Sequence, residues 1–172
     1  MKKYVDVIVP LPIASQYTYS VPAELEESVQ EGCRVVVSFG QKKFYTAIVT
    51  KVHYVAPENY ETKDVEEVLE TSPVILPTQF RFWEWLSTYY LCTLGDVYKA
   101  AMPSGMKLES ETLVAYNEEF EATVPLPKNE QRILDLLNDD KEQCVTQLQK
   151  ASGLKSILPI INRLLEKQAI FV

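Results

Sequence analysis

Little in this sequence supports catalysis. It has one histidine in 172 residues, so any Ser/His/Asp or Cys/His arrangement would have to use His53. That residue lies in the strand-like run TKVHYV, which favours a solvent-facing strand position over a catalytic one. The five glycines form no GxGxxG. GLKS at 153–156 approaches a phosphate-cradling loop but lacks its GxxxxGK[ST] spacing and its preceding strand. Cys33, Cys92 and Cys144 are far apart and make no CxxC, which leaves neither a zinc ribbon nor a redox pair. Carboxylate neighbours such as Glu66–Glu67 and Asp139–Asp140 read as solvated faces. No catalytic residue, no metal ligand and no cofactor is expected within these residues.

Long apolar runs are missing too. No stretch approaches the roughly 18 residues of a spanning helix, and the start MKKYVDVIVPLP is interrupted by Pro10 and Pro12 too early for a signal peptide. The expectation is a cytoplasmic protein with no membrane partner. An excess of positive charge is also absent: the net charge is −7, with 9 Lys+Arg against 13 Asp+Glu in residues 1–103 and 8 against 11 in 104–172. This excludes a histone-like polycation but not a local basic cleft, since exposed charges at physiological salt are screened over about 8 Å.

What is present divides in two. Up to about residue 70 the hydrophobic period is two, in YVDVIVPL, YTYSVP, CRVVVSF, FYTAIVTKV and VEEVLE, the last also compatible with a helix. Short strands punctuated by Gly and Pro predict a small, partly closed barrel. After TSPVILP the period becomes helical: TQFRFWEWLSTYYLC sets Phe80, Trp83, Leu86 and Tyr90 at helical spacing, with Thr78 as N-cap behind Pro77. TLGDVYKAAMP reads as a second helix beginning at Thr93 or Leu94–Gly95. Residues 103–127 form a connector with one apolar run, TLVAY. KNEQRILDLLND, CVTQLQKAS and ILPIINRLLEKQ then give three helices, with a turn at Gly153 and a terminal strand AIFV, the outline of a winged helix. The expected class is therefore α+β: a small β-barrel-like domain with a helical subdomain over 1–103 (strands about 1–70, helices about 78–102), then a connector and winged-helix domain over 104–172.

The chemistry that remains is binding. Lys42, Lys43, Lys51 and Lys63 are basic groups of an otherwise acidic half, and Tyr17, Tyr19, Phe44 and Tyr45 lie on strands or turns that could face the same cleft. Cations track phosphates, and rings stack bases at about 1–3 kcal/mol each. The plainer alternative makes the lysines turn solvation and the rings core. GCRVVVSFGQKKFYTAIV reads as a hairpin whose Gly40 permits the turn and whose Lys42 and Lys43 reach phosphates. Alternation sets Cys33, Val35 and Val37 opposite Arg34 and Val36, leaving open which face meets a ligand.

Four motifs in order, VIVPLPIASQYTYSVP, EGCRVVVSFGQKKFYTAIV, VEEVLETSPVILP and YYLCTLGDVYKAAMP, resemble the amino-terminal region of the PriA family of primosomal replication-restart helicases over about residues 5–103. The resemblance implies a module that binds the 3′ end of the nascent leading strand at a stalled fork, with pocket positions Tyr17, Thr18, Tyr19, Gly40 and Lys63. Thr18 stands where the family commonly has aspartate, and Ser38 and Thr93 replace common prolines, implying looser local turns. It further implies that the chain belongs to a larger ATP-dependent 3′-to-5′ helicase that initiates primosome assembly. The ATP and zinc sites of such a helicase, absent here, would follow this region. The implied partners are forked or single-stranded DNA, the rest of the helicase chain, primosome proteins and single-stranded-DNA-binding protein. The competing reading is an acidic winged-helix protein–protein adaptor with no DNA-binding role of its own.

Overall fold

The computed structural model describes all residues except 1, 41, 42, 110, 111, 121–124, 140 and 141, and of Asp139 only the backbone. It consists of two compact units, Met1–Pro103 and Ser104–Val172.

The first unit is built on five antiparallel strands, β1 (Tyr4–Ile8), β2 (Tyr17–Ser20), β3 (Arg34–Phe39), β4 (Lys43–His53) and β5 (Val65–Val68), in the order β2-β1-β4-β3-β5. The sheet curls until its edges meet: Ser20 on β2 forms a parallel bridge with Asp64 just before β5. Its concave side holds Val5, Val7, Tyr19, Val35, Val37, Ala47, Val49 and Val65, the alternate residues of each strand. The other face is also buried in its centre. Arg34, Val36, Thr46 and Ile48 lie there, and the Tyr98 hydroxyl donates to the Thr46 carbonyl at 2.9 Å. Alternation thus could not reveal a ligand face, because both faces are packed. The Arg34 guanidinium pairs with Glu70, and the Arg34 backbone N–H donates to Glu70 Oε2 at 3.0 Å, which allows this charged residue to be buried.

Two helices follow, α1 (Pro77–Tyr90) and α2 (Leu94–Ala101). The cap of α1 is Leu76 rather than Thr78. Pro77 occupies the first helical position, where its missing N–H costs nothing, and Gln79 Oε1 accepts from the Leu76 N–H at 2.8 Å. Of the apolar stripe, Trp83 is buried and stacks on Tyr98, whereas Tyr90 is exposed. Thr93 does not loosen its turn. It caps α2, accepting from the Asp96 N–H while Asp96 Oδ2 accepts from Thr93. These bonds hold the Asp96 carboxyl below its usual range.

Two glycines explain parts of the resembling motifs. A Cβ on Gly95 would stand 1.9 Å from the Leu11 carbonyl oxygen, so LGDV needs glycine for α2 to approach that loop. A Cβ on Gly32, whose φ is +86°, would stand 2.1 Å from the Ile75 carbonyl oxygen. Val74 and Ile75 both donate their N–H to the Gly32 carbonyl, tying the segment before α1 to the start of β3.

The second unit runs β6 (Leu113–Tyr116), α3 (Lys128–Asp139), β7 (Glu142–Cys144), α4 (Val145–Ser152), α5 (Leu158–Glu166) and β8 (Ile170–Phe171), with sheet order β7-β6-β8. Strand β7 was not expected; its three residues are too few to display a period. Gly153 closes α4 at φ +68°, and α5 starts at Leu158, which seats Pro159 in its first turn. Ile133, Leu137, Leu148, Ile161, Leu164 and Ile170 fill the core. Among the described residues, no helix is long and apolar enough to cross a membrane.

Candidate functional site

A cleft lies where β2, the end of β3 and the segment before β5 converge. Tyr17, Thr18, Tyr19, Gly40 and Lys63 line it, so the structure brings together five residues that the sequence spreads over 47 positions. Ser38, Phe39, Tyr60 and Glu61 complete the lining.

Strand pairing explains the convergence. Tyr17, Thr18 and Tyr19 pair with Val7, Asp6 and Val5 of β1, which alternates their side chains between the two faces. Tyr19 points inward and is 4% exposed, yet its hydroxyl reaches the rim and donates to the Ser38 carbonyl at 3.0 Å. Burial, helped by Tyr60 and Tyr17 nearby, pushes the Tyr19 phenol up to about 12, so it stays a neutral donor. Tyr17 meets Phe39 edge-on at 5.0 Å, and Tyr60 at 6.3 Å. The result is an aromatic wall with a polar rim.

The chain fixes the rim from the β5 side. Tyr60 Oη accepts from the Thr18 N–H at 2.9 Å, and the Lys63 carbonyl accepts from the Ser20 N–H at 2.9 Å. Lys63 Nζ donates to the Gly40 carbonyl at 2.8 Å. An ammonium has three donors, so this bond leaves two for an incoming anion. Gly40 has φ +67° and open space where a Cβ would be, so glycine serves the backbone angle there and not a steric need.

Behind the cleft lies a polar chain. Thr18 Oγ1 donates to Asp6 Oδ1 at 2.7 Å, and His53 Nε2 sits 3.1 Å from the same oxygen. His53 is therefore not a plain solvent-facing residue; its side chain is 18% exposed and its ring stacks on Tyr4.

Other expected contacts fall elsewhere. Lys43 is exposed at the start of β4, opposite Phe39, and does not line the cleft; Lys42 lies outside the described residues. Lys51 is exposed on β4 opposite Asp6. Tyr45 is core, 8% exposed, with its ring near Phe39. Ser38 is not in a loosened turn but in β3, paired with Phe44. Tyr60 and Glu61 were missed because they sit in the polar loop APENYETKD, where no period marks an inward residue. Phe39 was legible in principle, as the aromatic immediately before the turn glycine.

In the second unit, α5 follows the turn at Gly153 and so stands where a winged helix carries its recognition helix. Six of its nine residues are buried, Leu158, Pro159, Ile160, Ile161, Asn162 and Leu164. Arg163 Nε and Lys167 Nζ lie 3.1 and 2.6 Å from the buried carboxylate of Glu130 on α3. Arg163 and Lys167, two of the three cations in or flanking α5 with Lys155, thus serve the fold. Among the described residues, no group of three His, Cys, Asp or Glu side chains could hold a metal ion.

Comparison with known proteins adds to this geometry. Residues 6–103 match the PriA family model described as the 3′DNA-binding domain (3′BD), and residues 111–172 match a winged helix domain model. The chain is 29% identical over 130 residues to the replication restart protein PriA of Haemophilus influenzae, covering 74% of this chain and 17% of that protein. It is 27% identical over 152 residues to the PriA of Synechocystis, covering 83% of this chain and 18% of the relative. The Bacillus subtilis PriA is 25% identical over 95 residues, covering 55% of this chain and 12% of the relative. The chain thus spans less than a fifth of the length of these relatives.

Proposed function

The chain belongs to the family of PriA 3′ DNA-binding domains, and from that premise we propose that its first unit seats the 3′ end of the nascent leading strand at a stalled replication fork. The observation that carries this reading is the cleft itself. Aromatic side chains from β2 and β3, a glycine turn and one lysine from separate segments meet around a space open to solvent. Tyr17, with Tyr60 and Phe39 beside it, offers a ring face to the terminal base. Lys63 supplies the cation for the adjoining phosphate from the ammonium donors not used on Gly40. Thr18 stands at the rim, where a terminal hydroxyl would be met. Lys42 and Lys43 serve the backbone further along the strand.

The second unit fits the adaptor role better than a second DNA grip, because Glu130 already holds Arg163 and Lys167. In the whole protein the two units would serve an ATP-dependent 3′-to-5′ helicase that initiates primosome assembly, with primosome proteins and single-stranded-DNA-binding protein as partners. The ATP and zinc sites would belong to other parts of that protein.

The test is a competition between two forks, one with a recessed, accessible 3′ end and one with that end buried in a continuous duplex. The accessible end should compete more strongly, and Lys63→Ala should narrow the gap. Equal competition by the two forks would refute end binding.

A further inference from the structure

The sheet face turned away from the concave core is open beside the cleft. Across β2, β1 and β4, Thr18, Asp6 and Lys51 stand opposite one another in the strand register. Their side chains share that face. Thr18 Oγ1 donates to Asp6 Oδ1 at 2.7 Å, and His53, two residues beyond Lys51 on β4, sets its Nε2 3.1 Å from the same oxygen. His53 stacks on Tyr4, and Lys2 Nζ lies 5.9 Å from the Tyr4 ring centroid. Lys51 and Lys2 are exposed, and so is Tyr54 beside His53, at 55%. Among the described residues, no ion pair engages Lys51.

Neighbouring strands lie about 4.8 Å apart, so Lys51 stands roughly 10 Å from Thr18 across β1. Lys63 lies beyond the opposite edge of β2, where its carbonyl accepts from the Ser20 N–H. A DNA strand continues in only one direction from its last nucleotide. In the end-binding reading, on which this inference rests, Lys63 and the β3–β4 turn receive that continuation. We propose that the strip from Lys51 to Tyr54 holds the other strand at the junction, the unpaired template beside the seated end. Lys51 takes a template phosphate, and Tyr54 offers its ring to a template base. Unpaired bases leave their faces open to stacking, so an exposed ring next to a cation suits single-stranded DNA. The Asp6 carboxylate in this row is engaged by Thr18 and His53. Exposed charges are screened over about 8 Å, so the acidic balance of the whole unit does not cancel a cation placed this close to the end.

The experiment uses the whole chain and three DNAs: a fork whose recessed 3′ end is followed by unpaired template, a duplex whose 3′ end is flush with its template, and the buried-end fork. Wild type should bind the recessed end more tightly than the flush one. Lys51→Ala should weaken recessed-end binding about threefold and lower its slope of log affinity against log salt by about 0.7, one single-strand phosphate contact. Tyr54→Ala should weaken it about fivefold or more, the loss of one stacked base. Neither change should alter binding of the flush end, whereas Lys63→Ala should weaken both. A general loss of folding would lower both affinities and not their ratio. The proposal is overturned if wild type binds recessed and flush ends alike, or if folded Lys51→Ala or Tyr54→Ala keeps the wild-type ratio between them. If wild type binds the buried-end fork as well as the recessed one, the end-binding reading itself fails and this proposal with it.

Discussion

Lys63 and Gly40 are 23 positions apart in sequence, and the ammonium of one donates to the carbonyl of the other at 2.8 Å across the mouth of the cleft. The bond joins the β3–β4 turn to the segment before β5. It also holds the cation at the rim before any ligand arrives, which reduces the side-chain ordering that binding would otherwise cost.

Lys63→Ala should therefore weaken binding to a recessed 3′ end and lower the slope of log affinity against log salt by about one unit, the signature of one lost phosphate contact. Titrations at several salt concentrations measure it. An unchanged slope would remove Lys63 from the DNA contacts.

Thr18→Asp should not simply restore the carboxylate common at that position in the family. The new group would face Asp6 across the β1–β2 pair, and like charges directly opposite destabilise by on the order of 1 kcal/mol. Urea unfolding should show the loss at neutral pH and its recovery as the pH falls through the carboxylate range. Equal stability at both pH values would contradict this pairing.

Arg163→Ala should leave fork binding within about twofold of wild type, since exposed phosphate contacts are what such a change would remove and Glu130 already holds this cation. Glu130→Ala is the contrasting variant. It leaves two cations without their buried partner and should cost about 1–3 kcal/mol, discounted for the partial exposure of Arg163 and Lys167. Chemical denaturation and fork titration of both variants separate the two roles.

Tyr19 adds a pH dependence at the alkaline end. Its folded value of about 12 lies above the 10.0 of an unperturbed tyrosine, so the folded state resists losing the phenolic proton. The resulting stabilisation is complete below about pH 10 and is lost as the pH rises toward 12. Lysines titrate in the same range, so the diagnostic is the difference between wild type and Tyr19→Phe. The variant should lose less stability between pH 9 and about 11.5.

The glycines should respond differently to alanine. Gly40→Ala meets no atom within 4 Å and carries only the cost of its left-handed backbone angle, about 1–2 kcal/mol. Gly95→Ala drives a methyl into the Leu11 carbonyl oxygen and should cost about 3 kcal/mol or more. Thermal melts of the pair suffice, and equal losses would contradict the difference in packing.

The sequence made the strands, helices and the three helices of the second unit legible because each shows its period over four residues or more. It could not show β7, whose three residues are recognised only by pairing with Leu113–Ala115. That Tyr17, Thr18, Tyr19, Gly40 and Lys63 form one pocket came from family resemblance rather than from pattern, since nothing in the spacing of 17, 40 and 63 requires them to meet. Register does that. Tyr60 was unreadable for a related reason: its place is set by a bond to the Thr18 backbone and a ring contact with Tyr17, and such long-range contacts leave no periodic trace. Arg34 left the ligand face undecided because a charged residue in a strand suits an open face, whereas pairing with Glu70 allows it to be buried.

The meeting of the two sheet edges has a consequence for how the protein behaves in a crowded solution. An edge strand with spare N–H groups is a template on which another chain can add a strand and begin an aggregate. On β2 the N–H groups of Thr18 and Ser20 are both taken, by the Tyr60 hydroxyl and the Lys63 carbonyl. The segment that completes the cleft therefore also blocks that edge against recruitment by a second molecule. Variants that loosen residues 60–63 would risk solubility as well as binding.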